Sequence, residues 1–157
     1  MRAILAIATT VIATISLSAC AENVPEADGV IVLEIEHSLD QTIDRIETEA
    51  ANRGARIVAR VDHAANAATT GVDIDDATLV IFGNPALGTP LIAESRTAGL
   101  DLPVRLLVWE EDGDVWLAYT DPAVIAGRHG IDANSEAVKQ MSEALSGFAE
   151  EVTADGD

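Results

Sequence analysis

Apolar residues recur along this chain with the two-residue period of strands in some segments and with helical spacing in others. In residues 56–62, Ile57, Ala59 and Val61 point one way and the polar residues Arg56, Arg60 and Asp62 point the other, which indicates a half-buried strand. Other runs rich in β-branched residues have the same character. The pattern predicts strands at 30–36, 56–62, 77–82, 104–110 and 115–119.

Helices are predicted from apolar positions three or four residues apart and from their end signals. Ser38 and Gln41 form a capping box that starts a helix at 38–53. A longer helix begins at Asn134 or Ser135. Residues 63–71 form a short helix or an irregular connection. Three pairs of a cap and a proline predict helix starts at Asn84-Pro85, at Thr89-Pro90 for a helix over 90–96, and at Asp121-Pro122 for a helix ending at Gly130.

The order of these elements decides the fold class. Asp112-Gly113 joins two strands in a tight hairpin, and the connections between the later strands are too short for a doubly wound parallel sheet. We therefore expect an α+β domain, with an antiparallel sheet of about five strands and helices on one face.

The first 19 residues have the pattern of a secretory leader. Leu17-Ser18-Ala19-Cys20 resembles the lipobox of bacterial lipoprotein precursors, which implies acylation of Cys20 and attachment to the cell envelope, facing the periplasm. Ala21 favours the outer membrane by the same resemblance. The alternatives are an ordinary cleaved leader and an uncleaved anchor. We divide the chain into a leader at 1–19, an acidic tether at 20–29, one domain at 30–149 and an acidic tail at 150–157.

Charge and cysteine content exclude several classes of function. The chain has 9 basic and 27 acidic residues, with Lys139 as its lysine, so its surface repels nucleic acid. A single cysteine allows neither an intramolecular disulfide nor a cysteine-rich zinc site. We predict no cofactor.

Several blocks of sequence, in order along the chain, resemble the domain of unknown function 302 family. They are Asp62-His63, Phe82-Gly83-Asn84-Pro85, Leu87-Gly88-Thr89-Pro90-Leu91, Asp101-Leu102-Pro103-Val104-Arg105, Tyr119-x-Asp121-Pro122 and Arg128-His129. The resemblance implies a TATA-binding-protein-like fold, with one strand, a helix, four strands and a helix, and it implies a homodimer. It implies no agreed activity, and the fold by itself says nothing about DNA.

Two histidines are candidates for chemistry. His63 follows Asp62 and His129 follows Arg128, and a histidine oriented by a carboxylate can act as a base or a metal ligand. The simpler interpretation is that Asp62 ends a strand and that His129 complements a helix dipole. We favour this interpretation, and we predict no metal site and no catalytic residue.

The helix starts at Asn84 and Asp121 are candidates for binding a carboxylate or phosphate if they face each other, with Arg105 adding charge. Simple N-capping explains both residues without any ligand, and we favour this interpretation. Tyr119, Trp109 and Trp116 lie on the hairpin, where we expect core or dimer contacts. Tyr119 also remains a candidate ligand contact.

The main functional hypothesis is a lipid-anchored envelope protein whose domain binds a small ligand or an envelope protein without catalysis. One alternative is an envelope enzyme, a hydrolase or redox accessory, that uses His63 or His129 as general acid or base. The other is a structural homodimer.

Overall fold

The structure, a computed structural model, describes residues 27–154 as one antiparallel sheet with helices packed mainly on one face. The strands are β1 (Val30–Ile35), β2 (Arg56–Asp62), β3 (Ala77–Gly83), β4 (Val104–Glu111) and β5 (Asp114–Thr120). The helices are α1 (Leu39–Asn52), α2 (His63–Ala68), α3 (Pro85–Glu94), α4 (Pro122–Arg128) and α5 (Glu136–Thr153), with a 3₁₀ helix at Arg96–Leu100. The predicted α+β class with a five-stranded antiparallel sheet is confirmed.

The strands lie in the order β1-β5-β4-β3-β2, and every neighbouring pair is antiparallel. The ends of β3 and β5 and the start of β4 therefore lie at one end of the sheet, which we call the groove end. At the opposite end, Asp112 and Gly113 close the β4–β5 hairpin with φ of 56° and 98°. Two positive φ values are what a two-residue hairpin turn needs, so the predicted turn is confirmed.

The main core lies between one face of the sheet and helices α1 and α5. Val80, Leu106 and Leu117 from three neighbouring strands are fully buried. Phe82 stacks on Phe148 of α5, with the ring centroids 4.7 Å apart. The apolar stripe of α1 faces the same core, and its capping box is present as predicted, with Ser38 accepting from Gln41 N and Gln41 accepting from Ser38 N.

A second apolar cluster holds the short helices together. Leu91 of α3, Ala98 of the 3₁₀ helix and Ala126 of α4 are fully buried and pack with Val138 and Met141 of α5. Because α3 follows β3 and α4 follows β5, this cluster forms at the groove end.

Two helices differ from the prediction by more than two residues. Pro90 was expected to start a helix, but it lies inside α3, which runs from Pro85 to Glu94. The prediction was wrong because burial of Leu91 keeps the helix continuous although Pro90 cannot donate its backbone hydrogen bond. The helix α5 also continues past 149 to Thr153, because Val152 is buried in the main core.

Candidate functional site

A buried carboxylate, Asp101, links three parts of the chain at the groove end. Its side chain is 9% exposed and lies between the 3₁₀ helix and β4. Arg105 Nη2 donates to Oδ1 at 2.8 Å, and Arg128 Nη1 donates to both carboxylate oxygens at 2.9 Å. His129 Nε2 lies 2.7 Å from Oδ2. We call Asp101, Arg105, Arg128 and His129 the Asp101 cluster.

Both ring nitrogens of His129 are engaged in this cluster. Nδ1 lies 3.0 Å from Thr97 Oγ1, and the side chain is 5% exposed. A carboxylate can only accept, so Nε2 carries a proton that it donates to Asp101. The Thr97 hydroxyl donates to Nδ1 when the ring is neutral. The arrangement holds the ring in place and presents neither nitrogen to a ligand.

Asp101 is kept ionised by its partners. Burial raises the pKa of Asp101, but hydrogen bonds from His129 and Arg128, with the positive charges of Arg128 and Arg105, outweigh burial and hold this pKa below its usual range. The side chain of Arg128 is 54% exposed and that of Arg105 is 42% exposed, so the outer side of the cluster is in contact with solvent.

An apolar groove of about 560 Å³ lies next to the Asp101 cluster. Leu102 and Pro103, which directly follow Asp101, form part of its wall. The groove lies among α3, α5 and the groove end of the sheet. Its apolar lining residues include Phe82, Val104, Leu87, Ile92, Met141, Ala144, Leu145 and Phe148. Its volume is in the range of small-molecule sites, about 300–1,000 Å³.

Arg53, directly after α1, ties that helix to α5 at one side of the groove. Its guanidinium donates to the carbonyls of Ala144 at 3.3 Å and Gly147 at 2.8 Å, and it lies 5.8 Å from the centroid of the Phe148 ring. Arg53 also pairs with Glu49, and this hydrogen bond holds the pKa of Glu49 below its usual value. Arg53 therefore has a structural task in fixing the groove wall.

The predicted pair Asp62 and His63 lies far from His129. In the pairing of β2 with β3, Arg56 lies opposite Gly83 at the groove end. Asp62, which is six residues after Arg56 on β2, lies opposite Thr78. At 3.3 Å per residue, this separates Asp62 from the groove end by about 20 Å. Asp62 accepts from Ala65 N as the N-cap of α2, and His63 is exposed. Within residues 27–154, no group of three or more His, Cys, Asp or Glu is arranged to hold a metal ion.

The remaining candidates lie at the groove end but do not form one site. Asn84 and Asp121 cap α3 and α4 by accepting from Ala86 N and Ala123 N. Strand β4 lies between β3 and β5, so the segment entering β4 separates the two helix starts. Arg105 binds Asp101, and Tyr119 is buried in the main core, where burial raises the pKa of its hydroxyl.

Sequence reasoning missed Asp101 and the groove. In the sequence, Asp101 stands out only as part of a block shared with the family, and no local pattern indicates a site role for Thr97 or Arg56. The usable signal in the sequence was Arg105, which follows Asp101 by four residues in the same block. The groove had no such signal, because its wall is built from four separate segments.

The fold and the groove define the class of this molecule as a small α+β protein with an open antiparallel sheet and a cavity at one sheet end. The chain belongs to the DUF302 family, described as a domain of unknown function, whose family model matches residues 31–148. It is similar to the crystal structure of an uncharacterized conserved DUF302 protein from Bacillus stearothermophilus. The TM-score is 0.73 at 18% identity, over 80% of this chain and 99% of that chain.

Curated relatives come from Brucella. The chain is 44% identical over 115 residues to the fluoride-specific ion channel FluC 1 of Brucella suis, covering 72% of this chain and 45% of that protein. FluC 1 of Brucella abortus and FluC 2 of Brucella melitensis match equally well, with 43% of each covered. The chain thus spans less than half the length of these relatives. No helix among residues 27–154 combines the length and apolar character needed to cross a bilayer.

Replacing Asp101 tests the cluster through the pH dependence of stability. Asp101→Asn is expected to lower the free energy of unfolding at pH 7 by about 1–3 kcal/mol, because three donors lose their charged acceptor. The pKa of Asp101 is lower in the folded than in the unfolded protein, where it is about 3.9. Below about pH 4 the unfolded state therefore binds more protons, and the advantage of the wild type shrinks.

Urea unfolding of both proteins at pH 7 and pH 3 measures this difference. The control is Asp73→Asn, at an exposed loop carboxylate, which should change stability little at either pH. A stability difference between wild type and Asp101→Asn that does not change with pH would contradict the assignment.

Proposed function

We propose that this chain is a lipid-anchored protein of the bacterial envelope that binds a small apolar molecule in its groove without transforming it. The observation that carries the proposal is the groove of about 560 Å³ with its largely apolar lining. Apolar surface open to water costs free energy, and a groove of this size is the usual way in which a small protein receives a ligand.

The residues around the groove support binding rather than catalysis. His129, in the Asp101 cluster beside the groove, has both ring nitrogens engaged, with Thr97 and Asp101. Asn84, on the groove wall, accepts from Ala86 N and donates to the Arg53 carbonyl. The hydrogen bonds of these polar groups are made within the protein, which is typical of groups that stabilise the fold.

A groove-filling substitution tests ligand binding. Ala144→Phe on α5 places a benzyl group in the groove, and because Ala144 is only half-buried we expect the fold to tolerate it. The neutral fluorescent probe N-phenylnaphthylamine should bind the wild type, and Ala144→Phe should weaken this binding at least about tenfold, equivalent to about 1.4 kcal/mol.

The matched control is Ser146→Phe, which adds the same aromatic ring at an exposed position on the same helix. It should leave probe binding unchanged. Equal binding by wild type and Ala144→Phe, with both proteins folded by circular dichroism, would contradict the groove as the binding site.

The lipid anchor is proposed from the lipobox at Cys20, which lies outside the described residues. Chains similar to this one are named as fluoride-specific ion channels, and an ion channel acts in a membrane, which supports a membrane-associated place for this protein too.

Acyl labelling in the producing bacterium tests the anchor. The wild-type chain should incorporate labelled palmitate and fractionate with membranes. Cys20→Ser should lose the label, because the thiol that receives the lipid is absent. Labelling that persists in Cys20→Ser would refute the proposal.

A structural homodimer is the second candidate, and the face of the sheet opposite α1 and α5 favours it. One row of paired residues crosses all five strands on this face and is apolar throughout: Val61, Leu79, Leu107, Ala118 and Val32. Four of the five are only half-buried. A second copy covering this row would bury them, and a stable interface needs about 800 Å² from each partner.

Sedimentation velocity tests the dimer. Leu107→Glu should shift the protein from dimer to monomer, because a carboxylate at the centre of an apolar interface lacks a partner. Leu100→Glu makes the same change at a leucine that is 79% exposed on the 3₁₀ helix, and it should leave the dimer intact. A monomeric wild type would contradict this candidate.

A further inference from the structure

We propose that the ligand of the groove is a single-chain carboxylate amphiphile, a fatty-acid anion, whose head pairs with Arg56. The inference rests on the proposed groove binding and names its ligand class. It starts from the charges at the groove. Of the residues in 27–154 that line it, two are arginines and none is Asp or Glu, in a chain with 27 acidic and 9 basic residues.

The two arginines differ in what they already bind. Arg53 uses its guanidinium on Glu49 and on two carbonyls of α5. Within the part of the chain that the structure describes, the Arg56 guanidinium has no hydrogen bond or ion pair. Arg56 is exposed and pairs along the strand with Gly83, which also lines the groove. It is the cation available to a ligand there.

Apolar residues line the groove together with Arg56. Val58, two residues along the same strand, lines the groove and is 62% exposed at a point where the register of β2 against β3 shifts. Leu145 and Phe148 are buried and also line the groove. A free cation beside apolar lining residues is complementary to a molecule with one anionic head and one hydrocarbon tail.

The charge of the whole chain disfavours ligands with several negative charges. The net charge of −18 repels polyanions and anionic surfaces at long range. A free guanidinium can form two parallel hydrogen bonds to one carboxylate, which strengthens and orients the pair. We therefore assign the head to Arg56 and the tail to the apolar walls.

Two ligands of equal length separate the head from the tail. Octanoate and 1-octanol share an eight-carbon chain and differ in charge at pH 8. Each is titrated against the full chain carrying N-phenylnaphthylamine, purified without detergent, and displacement of the probe is measured. Octanoate should displace the probe at a concentration about tenfold lower than 1-octanol.

Arg56→Gln should remove this preference. Glutamine keeps much of the side chain but not the charge. Binding of octanoate should therefore weaken about tenfold, while binding of 1-octanol should be unchanged. The control is Arg60→Gln on the same strand, which changes the net charge equally at an arginine that pairs with Glu47 outside the groove. It should leave both displacement curves unchanged.

The outcomes distinguish this inference from the proposed function. Equal displacement by octanoate and 1-octanol from the wild type would overturn the carboxylate assignment and leave groove binding intact. Equal losses in Arg56→Gln and Arg60→Gln would also overturn it, since the effect would then follow net charge. Failure of the neutral probe itself to bind would count against the proposed function.

Discussion

The sheet of this protein has apolar side chains on both faces, while its two long helices, α1 and α5, cover one of them. Burial of the covered face supplies the main hydrophobic stabilisation, at about 25 cal/mol per Å² of apolar surface. The short helices α3 and α4 follow strands that end together, so they collect at one end of the sheet rather than over its open face. The groove and the open apolar face both follow from this arrangement.

The Asp101 cluster connects the stability of the groove end with the shape of the groove. Asp101 contacts Arg105 of β4 and Arg128 at the end of α4 directly. It also contacts His129, which in turn contacts Thr97 of the 3₁₀ helix. The next two residues along the chain are groove wall. An ionised carboxylate that is buried without its partners costs free energy, so the contacts of the Asp101 cluster favour one arrangement. This arrangement positions Leu102 and Pro103 in the groove wall.

Arginine is distributed unevenly in this acidic chain. Four of its 9 basic residues, Arg53, Arg56, Arg105 and Arg128, lie in the groove wall or in the adjoining cluster. Three of them are committed to contacts within the protein. The acidic remainder of the surface keeps the molecule apart from other anions, so attraction for an anionic head is local to the groove end.

The sequence by itself determined most of the fold, because strand alternation, the Ser38 capping box and the Asp112-Gly113 turn depend on neighbouring residues. Local signals also identified His129 and Arg105 as residues of interest. They misjudged Pro90, where the buried Leu91 outweighs a missing backbone hydrogen bond. Only the tertiary structure decided which of these side chains meet. Asp101 contacts Arg128 across 27 positions of sequence, and Asp62 lies at the far end of the sheet from His129. Strand order and register set those distances, and neither is encoded in the spacing of residues along the chain.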